Sequence, residues 1–320
     1  MERITGGGRV PDHLRGGVVA LGNFDGFHRG HQAVVGRALT RARAEGRPAL
    51  VATFDPHPAR LFRPDTPPFA LTRIDQRLDL FADFGIDGTV VLPFDRTLAA
   101  ETAQGFCANW LQGRIGAHAV VSGNDFTFGV ARSGDVAALR TLGASHGFDA
   151  EVVEPVSDGG GPISSSRIRA LLQGGDPAGA AALLTRPYTI AGVVEHGAKL
   201  GRTLGFPTAN IDLGPYLRPA YGVYAVRVRR ANGAVHDGVA NLGVRPMIEP
   251  PKELLEAWLF DFNSDLYGET LAVELIAYLR PEAKLDGLEA LKRQIAVDAD
   301  AARVALAATP SVAQGRATSP

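Results

Sequence analysis

The ten residues from Gly22 to His31, GNFDGFHRGH, carry three glycines and two histidines, with Asn23, Phe24 and Asp25 between them. The apolar run Val18–Leu21 precedes them, and Gln32-Ala33-Val34-Val35 opens a helical pattern after them. A strand, a glycine-bearing loop and a helix in that order present backbone N–H groups at a helix N-terminus, which is a site for an anion. Gly22, Gly26 and Gly30 let a phosphate approach the backbone closely. His28 and His31 are three apart and share a face of the first helical turn. Two imidazole donors there suit the charge that grows on a phosphoryl group under attack. The Walker pattern with its Lys-Ser/Thr is absent, so this is another kind of phosphate device. Read alone, the pair is equally compatible with metal ligands or with a polar surface turn, although helical metal pairs are more often spaced by four.

Two further segments point the same way. TFDPHP (Thr53–Pro58) follows the second apolar run and brings Asp55 and His57 to the same sheet edge. ISSSRIRALL (Ile163–Leu172) opens a helix with Ser164, Ser165 and Ser166 as caps. Its Arg167 lies in the first turn, within reach of a phosphate tail, whereas Arg169 faces elsewhere and reads as structural.

A second constellation lies further on. EHGAKLGRTLGFPTANI (Glu195–Ile211) reads as a flexible lid, with Gly197, Gly201 and Gly205, and with positive charge from Lys199 and Arg202. In Pro207-Thr208-Ala209-Asn210 a hydroxyl and an amide stand two apart, on one face of an extended segment. They are oxygen ligands of the kind Mg²⁺ accepts beside ATP phosphates, or else part of an ordinary turn. Glu256 alternates with Trp258 and Phe260 in an otherwise apolar strand. It is either a general base or an edge-strand charge that blocks further pairing, and the strand alone favours the second.

The elements that must position these groups fall into two styles. In the first half, apolar runs at Val18–Leu21, Ala49–Phe54, Thr89–Leu92, Ala119–Ser122 and Ala150–Val153 alternate with helical segments. That predicts parallel βα units and a doubly wound sheet with its ligand beyond the carboxyl ends of the strands. After Leu184, with Thr185-Arg186-Pro187 as a break, strand-like runs follow closely: Thr189–Val194, Gly222–Val228, Val235–Asn241, Leu255–Phe262 and Leu271–Tyr278. Asn232-Gly233 signals a tight hairpin, and the spacing predicts an antiparallel barrel or sandwich. Leu288, Leu291 and Ile295 mark a closing helix, and the composition from about Thr309 predicts a frayed tail.

Composition bounds the rest. The chain has 320 residues, enough for two domains, and a formal net charge of -1, which argues against a general nucleic-acid binder. Its single cysteine, Cys107, cannot form an intramolecular disulfide and reads as core rather than nucleophile. No apolar run approaches a bilayer span, and the first residues lack a signal peptide's apolar core. A soluble cytoplasmic protein, with no membrane partner, is expected.

Together the first three segments and SGNDFTFGVARSGD (Ser122–Asp135) resemble the nucleotidyltransferase superfamily with its H-x-G-H motif. More narrowly they resemble the FAD synthetase half of the bacterial bifunctional riboflavin kinase/FMN adenylyltransferases. GFPTANI, GVYAV (Gly222–Val226), NLGVRP (Asn241–Pro246) and DFNSDLYG (Asp261–Gly268) resemble, in order, the riboflavin kinase barrel. The resemblance implies a Rossmann-like nucleotidyltransferase domain with a parallel sheet over residues 1–184. It implies a small antiparallel β-barrel kinase domain with a C-terminal helix over 185–305, leaving 306–320 as a tail. It implies that riboflavin is phosphorylated by ATP to FMN, and that FMN then takes the adenylyl group of a second ATP to give FAD and pyrophosphate.

By the same resemblance His28 and His31 contact the reacting phosphates, and Asn23 and Asp25 form the phosphate and metal end of the loop. Ser164–Ser166 and Arg167 hold the leaving phosphates. Asp55, His57, Asn124, Asp125 and Arg132 belong to loops near nucleotide and flavin. Gly197, Lys199, Gly201, Arg202 and Pro207 bind ATP in the kinase, Thr208 and Asn210 bind Mg²⁺ with ATP, and Glu256 deprotonates the ribityl hydroxyl. The family form has a basic residue at the Thr127 position and threonine at the Ser166 position. The stretch with Met247 and Pro250-Pro251-Lys252 also departs from a common form. The alternative is an adenylyltransferase whose barrel only senses flavin; a barrel that binds single-stranded nucleic acid would need a basic stripe, which is lacking beyond Arg227, Arg229 and Arg230.

Overall fold

The computed structural model describes residues 1–195, 206–245, 252–284 and 286–309. They form two compact units, one of Met1–Pro67 and Arg73–Ser164, the other of Pro68–Thr72 and the described residues from Ser165 on.

The first unit contains β1 (Glu2–Ile4), β2 (Val18–Leu21), α1 (Arg29–Ala44), β3 (Ala49–Asp55), α2 (Pro58–Phe62), α3 (Ile74–Asp83), β4 (Gly88–Pro93), α4 (Arg96–Ala99), α5 (Ala103–Gly105), β5 (Ala119–Gly123), α6 (Val136–His146), β6 (Asp149–Val153), β7 (Ser157–Asp158) and β8 (Gly161–Pro162). The sheet order is β1-β4-β3-β2-β5-β6, and every pair in it is parallel. Successive side chains of each strand face opposite layers. Val18, Ala20, Ala49 and Val51 pack under α1 and α3. Val19, Leu21, Leu50 and Ala52 pack against Phe106, Trp110, Leu111 and Leu139. All five expected strands are present. The additional edge strand β1, of three residues, is too short for its sequence to show a period. Chain order reverses at β2, which has β3 on one side and β5 on the other, so the loops after β2 and β5 flank the switch point where such sheets bind ligands.

Cys107 lies on a ten-residue π-helix, Phe106–Ile115, that continues α5. Burial pushes its thiol up to about 11, so it is core, as its apolar surroundings suggested.

The second unit contains α7 (Ser165–Gln173), α8 (Pro177–Leu184), β9 (Tyr188–Glu195), β10 (Ala209–Asp212), β11 (Gly222–Arg230), β12 (Val235–Arg245), β13 (Lys252–Leu259), β14 (Thr270–Arg280) and α9 (Leu288–Ala308). By packing, α7 and α8 belong here: α8 lies against β9 and β14, and Ala220 N–H donates to Leu172 O at 3.0 Å. The strands close into an antiparallel barrel in the order β10-β13-β12-β11-β14-β9, with β9 pairing β10. The Asn232-Gly233 hairpin joins β11 to β12, with Asn232 Oδ1 accepting from Ala234 N–H at 3.0 Å and Gly233 at φ +86°. β13 ends at Leu259 rather than Phe262, because Asp261 turns the chain with φ +52°.

α9 covers the barrel's outer face, with Ala299, Ala302 and Leu306 on Val223, Ala225, Val239 and Ile276. Two buried charges fasten it. Arg280 grips Asp298 through two bonds of 2.8 and 2.7 Å, and Gln294 donates to the same carboxylate at 2.9 Å. Arg227 donates to the carbonyls of Leu306, at 2.8 Å, and Thr309. The tail assigned from residue 306 therefore starts too early: residues 306–308 are the helix's last turn, with Leu306 buried and Thr309 held by Arg227.

Asp298→Ala leaves the partly exposed Arg280 guanidinium without its carboxylate. It is expected to lower stability by about 2 kcal/mol, the scale of hydrogen bonds to a charged group. The urea midpoint of the barrel transition measures this.

Candidate active sites

The loop after β2 is built around two aromatic residues in the left-handed region. Phe24 has φ +52° and Phe27 φ +40°, angles that bulky residues rarely adopt. Ring packing holds them there. Phe24 stands edge-on to Phe81 and His31, at 5.9 and 5.3 Å between centroids. Phe27 does the same with Phe81 at 5.0 Å and Phe84 at 5.3 Å. Gly22 leaves room for this packing, because a Cβ there would press the Phe24 ring at 3.0 Å. The chain then turns through Gly26 into α1, with Asp25 buried.

His28 is the N-cap of α1, its Nδ1 accepting the His31 N–H at 3.4 Å. The two imidazoles stack, with centroids 3.6 Å apart and planes at 21°. Gly30 leaves room for this, since a Cβ there would press the His28 ring at 3.1 Å and the Ile163 carbonyl at 3.3 Å. With Nδ1 an acceptor, neutral His28 carries its proton on Nε2, where it is a donor. Of the three readings of the pair, stacked rings at a helix N-terminus fit anion binding best. Asn23 Oδ1 is buried and accepts no hydrogen bond, leaving an acceptor at the loop's other end.

Asp55 ends β3, and partial desolvation holds its carboxyl above the usual range, with the charge of Arg77 opposing. His57 caps α2, its Nδ1 accepting from Ala59 N–H at 3.1 Å. After β5, Asn124 donates to Glu154 at 3.0 Å, while Asp125 and Arg132 are exposed. Ala131 and Arg132 have φ of +53° and +57°, inside a turn closed by the paired backbones of Phe128 and Gly134. Ser164 ends the first unit. Ser165, Ser166 and Arg167 open α7 in the second, where Arg169 is committed to Phe69, donating to its carbonyl at 2.8 Å.

In the barrel, Glu256 is directly opposite Asn210 of β10 and Asn241 of β12. Directly opposed residues share a face. Here it is the outer face, because the alternating Ala209, Ile211, Leu255 and Ala257 fill the interior. β13 lies between two partners in a closed barrel, so Glu256 is not an edge-strand charge. Asn210 sits in a strand and is 7% exposed, so it is not part of an ordinary turn. Thr208 stands two residues before it, half-buried, and Pro207 is exposed. Trp258 continues the face, edge-on to Phe206 at 4.9 Å and Phe260 at 5.2 Å. Among the described residues no three or more His, Cys, Asp or Glu side chains gather into a metal cage, so a divalent ion here would share its coordination with substrate oxygens. Gly197, Lys199, Gly201 and Arg202 lie outside the described residues.

Comparison with known proteins decides the family. A model described as FAD synthetase matches residues 10–167, and one described as riboflavin kinase matches 184–306. The bifunctional riboflavin kinase/FMN adenylyltransferase of Escherichia coli strain K12 is 40% identical over 288 residues, covering 90% of this chain and 92% of its own. The chain belongs to the bifunctional riboflavin kinase/FMN adenylyltransferase family. Its relative in Pseudomonas fluorescens is 42% identical, covering 93% and 95%, and that in Bacillus subtilis 38%, covering 88% and 90%. A crystal structure described as a macrolide-efflux protein from Streptococcus pneumoniae has a TM-score of 0.84 at 31% identity, covering 95% of this chain and 99% of its own. That likeness shows a shared fold over nearly the whole of both chains; among the described residues no helix is long and apolar enough to cross a membrane.

The family motifs passed over two residues that the structure puts beside these sites. Asn241 was quoted only within NLGVRP, yet register sets it against Glu256. Arg77 lies on the apolar stripe of α3 four residues before Phe81, a position where a charge must be buried, and that placement is its sequence signal.

The cap assigned to His28 has a measurable signature. His28→Asn keeps an acceptor at the capping position and should unfold at the parent's denaturant midpoint, whereas His28→Ala should lose about 1 kcal/mol.

Proposed function

We propose that the chain makes flavin nucleotides in two steps, with the barrel and the helix that closes it at Ala308 as the riboflavin kinase and the parallel-sheet domain as the FMN adenylyltransferase. One observation carries this reading. A stacked histidine pair at a helix N-terminus and a Glu256–Asn210–Asn241 row on a barrel coexist in one chain of this family. The first suits a phosphate under attack, and the second suits a hydroxyl that must lose its proton.

In the kinase step Glu256 takes the proton of the ribityl 5′-hydroxyl of riboflavin. The oxygen bonds to the γ-phosphorus of ATP, the bond to the β–γ bridging oxygen breaks, and ADP leaves with the electron pair. The Thr208 hydroxyl and Asn210 amide oxygen would hold the Mg²⁺ that accompanies ATP, which supplies neutralising charge. The oxygen-only donors and their place beside a carboxylate fit that ion.

In the transferase step a phosphate oxygen of FMN bonds to the α-phosphorus of a second ATP, and pyrophosphate leaves. His28, through Nε2–H, and His31 donate to the oxygens that gain charge. The backbone N–H groups of α1 face the same anion, and Asn23 and Asp25 line the loop. Ser164, Ser165, Ser166 and Arg167 bind the leaving phosphates, and Asp55, His57, Asn124, Asp125 and Arg132 serve nucleotide and flavin, on the family pattern. Both reactions use soluble substrates, and we assign them to the cytoplasm. A barrel that merely sensed flavin would have no need of a carboxylate set between two amides.

Separation of function tests this directly. Glu256→Gln keeps the side chain's shape and should slow FMN formation by about 10²–10⁴-fold. It should still convert supplied FMN to FAD. His31→Ala should slow FAD formation by about 10²–10³-fold and let FMN accumulate. Loss of both reactions from either folded variant, measured by separating the flavins after incubation with riboflavin, ATP and Mg²⁺, would overturn the assignment of one chemistry to each domain.

A further inference from the structure

Arg77 is 4% exposed and belongs to neither the expected motifs nor the proposed reaction steps. Its Nη1 donates to the carbonyl of Asn23 at 2.7 Å and to Thr53 Oγ1 at 3.3 Å. Thr53 Oγ1 donates to the same carbonyl at 3.0 Å. Arg77 Nε is buried and makes no hydrogen bond. Burial pushes the guanidinium's affinity for its proton down, and the charges of Asp25 and Asp55 push it back up. A buried cation with an unused donor is costly in a fold, and packing alone gives no reason to retain it where a methionine would fill the space.

Its acceptor indicates what it does. Asn23 immediately precedes Phe24, the first residue of the loop in the left-handed region. Two donors on the Asn23 carbonyl fix the plane of the Asn23–Phe24 peptide, and with it the path of the chain to Asp25 and His28. The ring contacts of Phe24 and Phe27 secure the loop from their side, and they too land on Phe81, one helical turn after Arg77 on α3. The guanidinium also sets a positive charge against the carboxylates at the ends of both flanking segments, Asp25 on the loop and Asp55 on β3.

We infer that Arg77 is a positioning residue for adenylyl transfer, fixing the phosphate loop through the Asn23 carbonyl and balancing the charge of Asp25 and Asp55 beneath it. This rests on the adenylyltransferase reading of the first domain. Arg77 touches no substrate and acts through the backbone that carries His28. Substrates still bind to a loop whose peptide plane has swung, but the donors no longer meet the charge that develops. The loss therefore falls on kcat rather than on KM.

The test uses the full chain, whose riboflavin kinase activity is an internal control. Arg77→Met should lower kcat for FMN adenylylation about 100-fold, the scale of an ångström-sized misplacement. KM for ATP and for FMN should move by less than about threefold. FMN formation from riboflavin should be unchanged. Arg77→Lys keeps a charge and a donor and should recover kcat to within about tenfold of the parent. Thr53→Val removes the other donor without changing volume, should cost about tenfold in kcat, and carries the test if Arg77→Met does not fold.

Parental kcat in Arg77→Met would overturn the proposal. So would loss shared equally by both activities, or Arg77→Lys and Thr53→Val variants with no kcat change. A parent enzyme that forms FMN but never FAD would instead overturn the adenylyltransferase reading beneath it.

Discussion

Phe24 and Phe27 hold backbone angles that aromatic residues rarely accept, and the candidate phosphate site depends on the packing that keeps them there. Their rings converge on Phe81, so the strain of the loop is balanced by contacts made on one face of α3. Arg77 extends that face by one turn and adds a polar tie to the aromatic ones. The result is a short loop with few side chains free to move. It sets His28 as a helix cap and stacks His31 on it. Cap formation, tautomer and donor direction are thus one event, fixed when α1 starts where it does.

The candidate kinase site relies on closure instead of strain. A carboxylate between two amides on adjacent strands needs those strands in a single register, and a shift by one residue would turn Glu256 into the core. Closing the barrel leaves no edge from which register could slip. Interior residues Leu255 and Ala257, fully buried on either side of Glu256, oppose such a shift. The fastening of α9 by Arg280–Asp298 and Arg227 covers the adjoining stretch of the same outer face, where Val239 and Trp258 stand two residues from Asn241 and Glu256.

Much of this was legible in the residues. The parallel sheet showed because its buried strands are continuous apolar runs separated by helical spacing, and the hairpin at Asn232-Gly233 showed because that turn demands those residues. The candidate phosphate loop showed through its glycines, of which Gly22 and Gly30 leave room for rings that a Cβ would press. Glu256 misled as an isolated residue: alternation gives its face, but only strand order says whether the strand is an edge. β10 was seen as an extended segment and not as a strand, since its four residues have partners far along the chain. Arg77 showed only as a charge on the apolar stripe of α3; its acceptor, a backbone carbonyl, leaves no mark in side-chain patterns. The C-terminal boundary failed for a similar reason, as the carbonyls that Arg227 holds carry no residue signature.

Glu256 points away from a barrel whose interior is solidly filled by its own side chains. The barrel is therefore a scaffold and not a container. If Glu256 is the kinase base, as proposed, nothing has to enter the barrel and no strand has to part for product to depart. On the proposed assignment, chemistry at the outer row leaves the hydrogen-bonded cylinder free to be as rigid as its packing allows. Inward residues of β13 then answer to packing volume, and the outward Glu256 to the chemistry proposed for it, so the two faces of one strand meet separate demands.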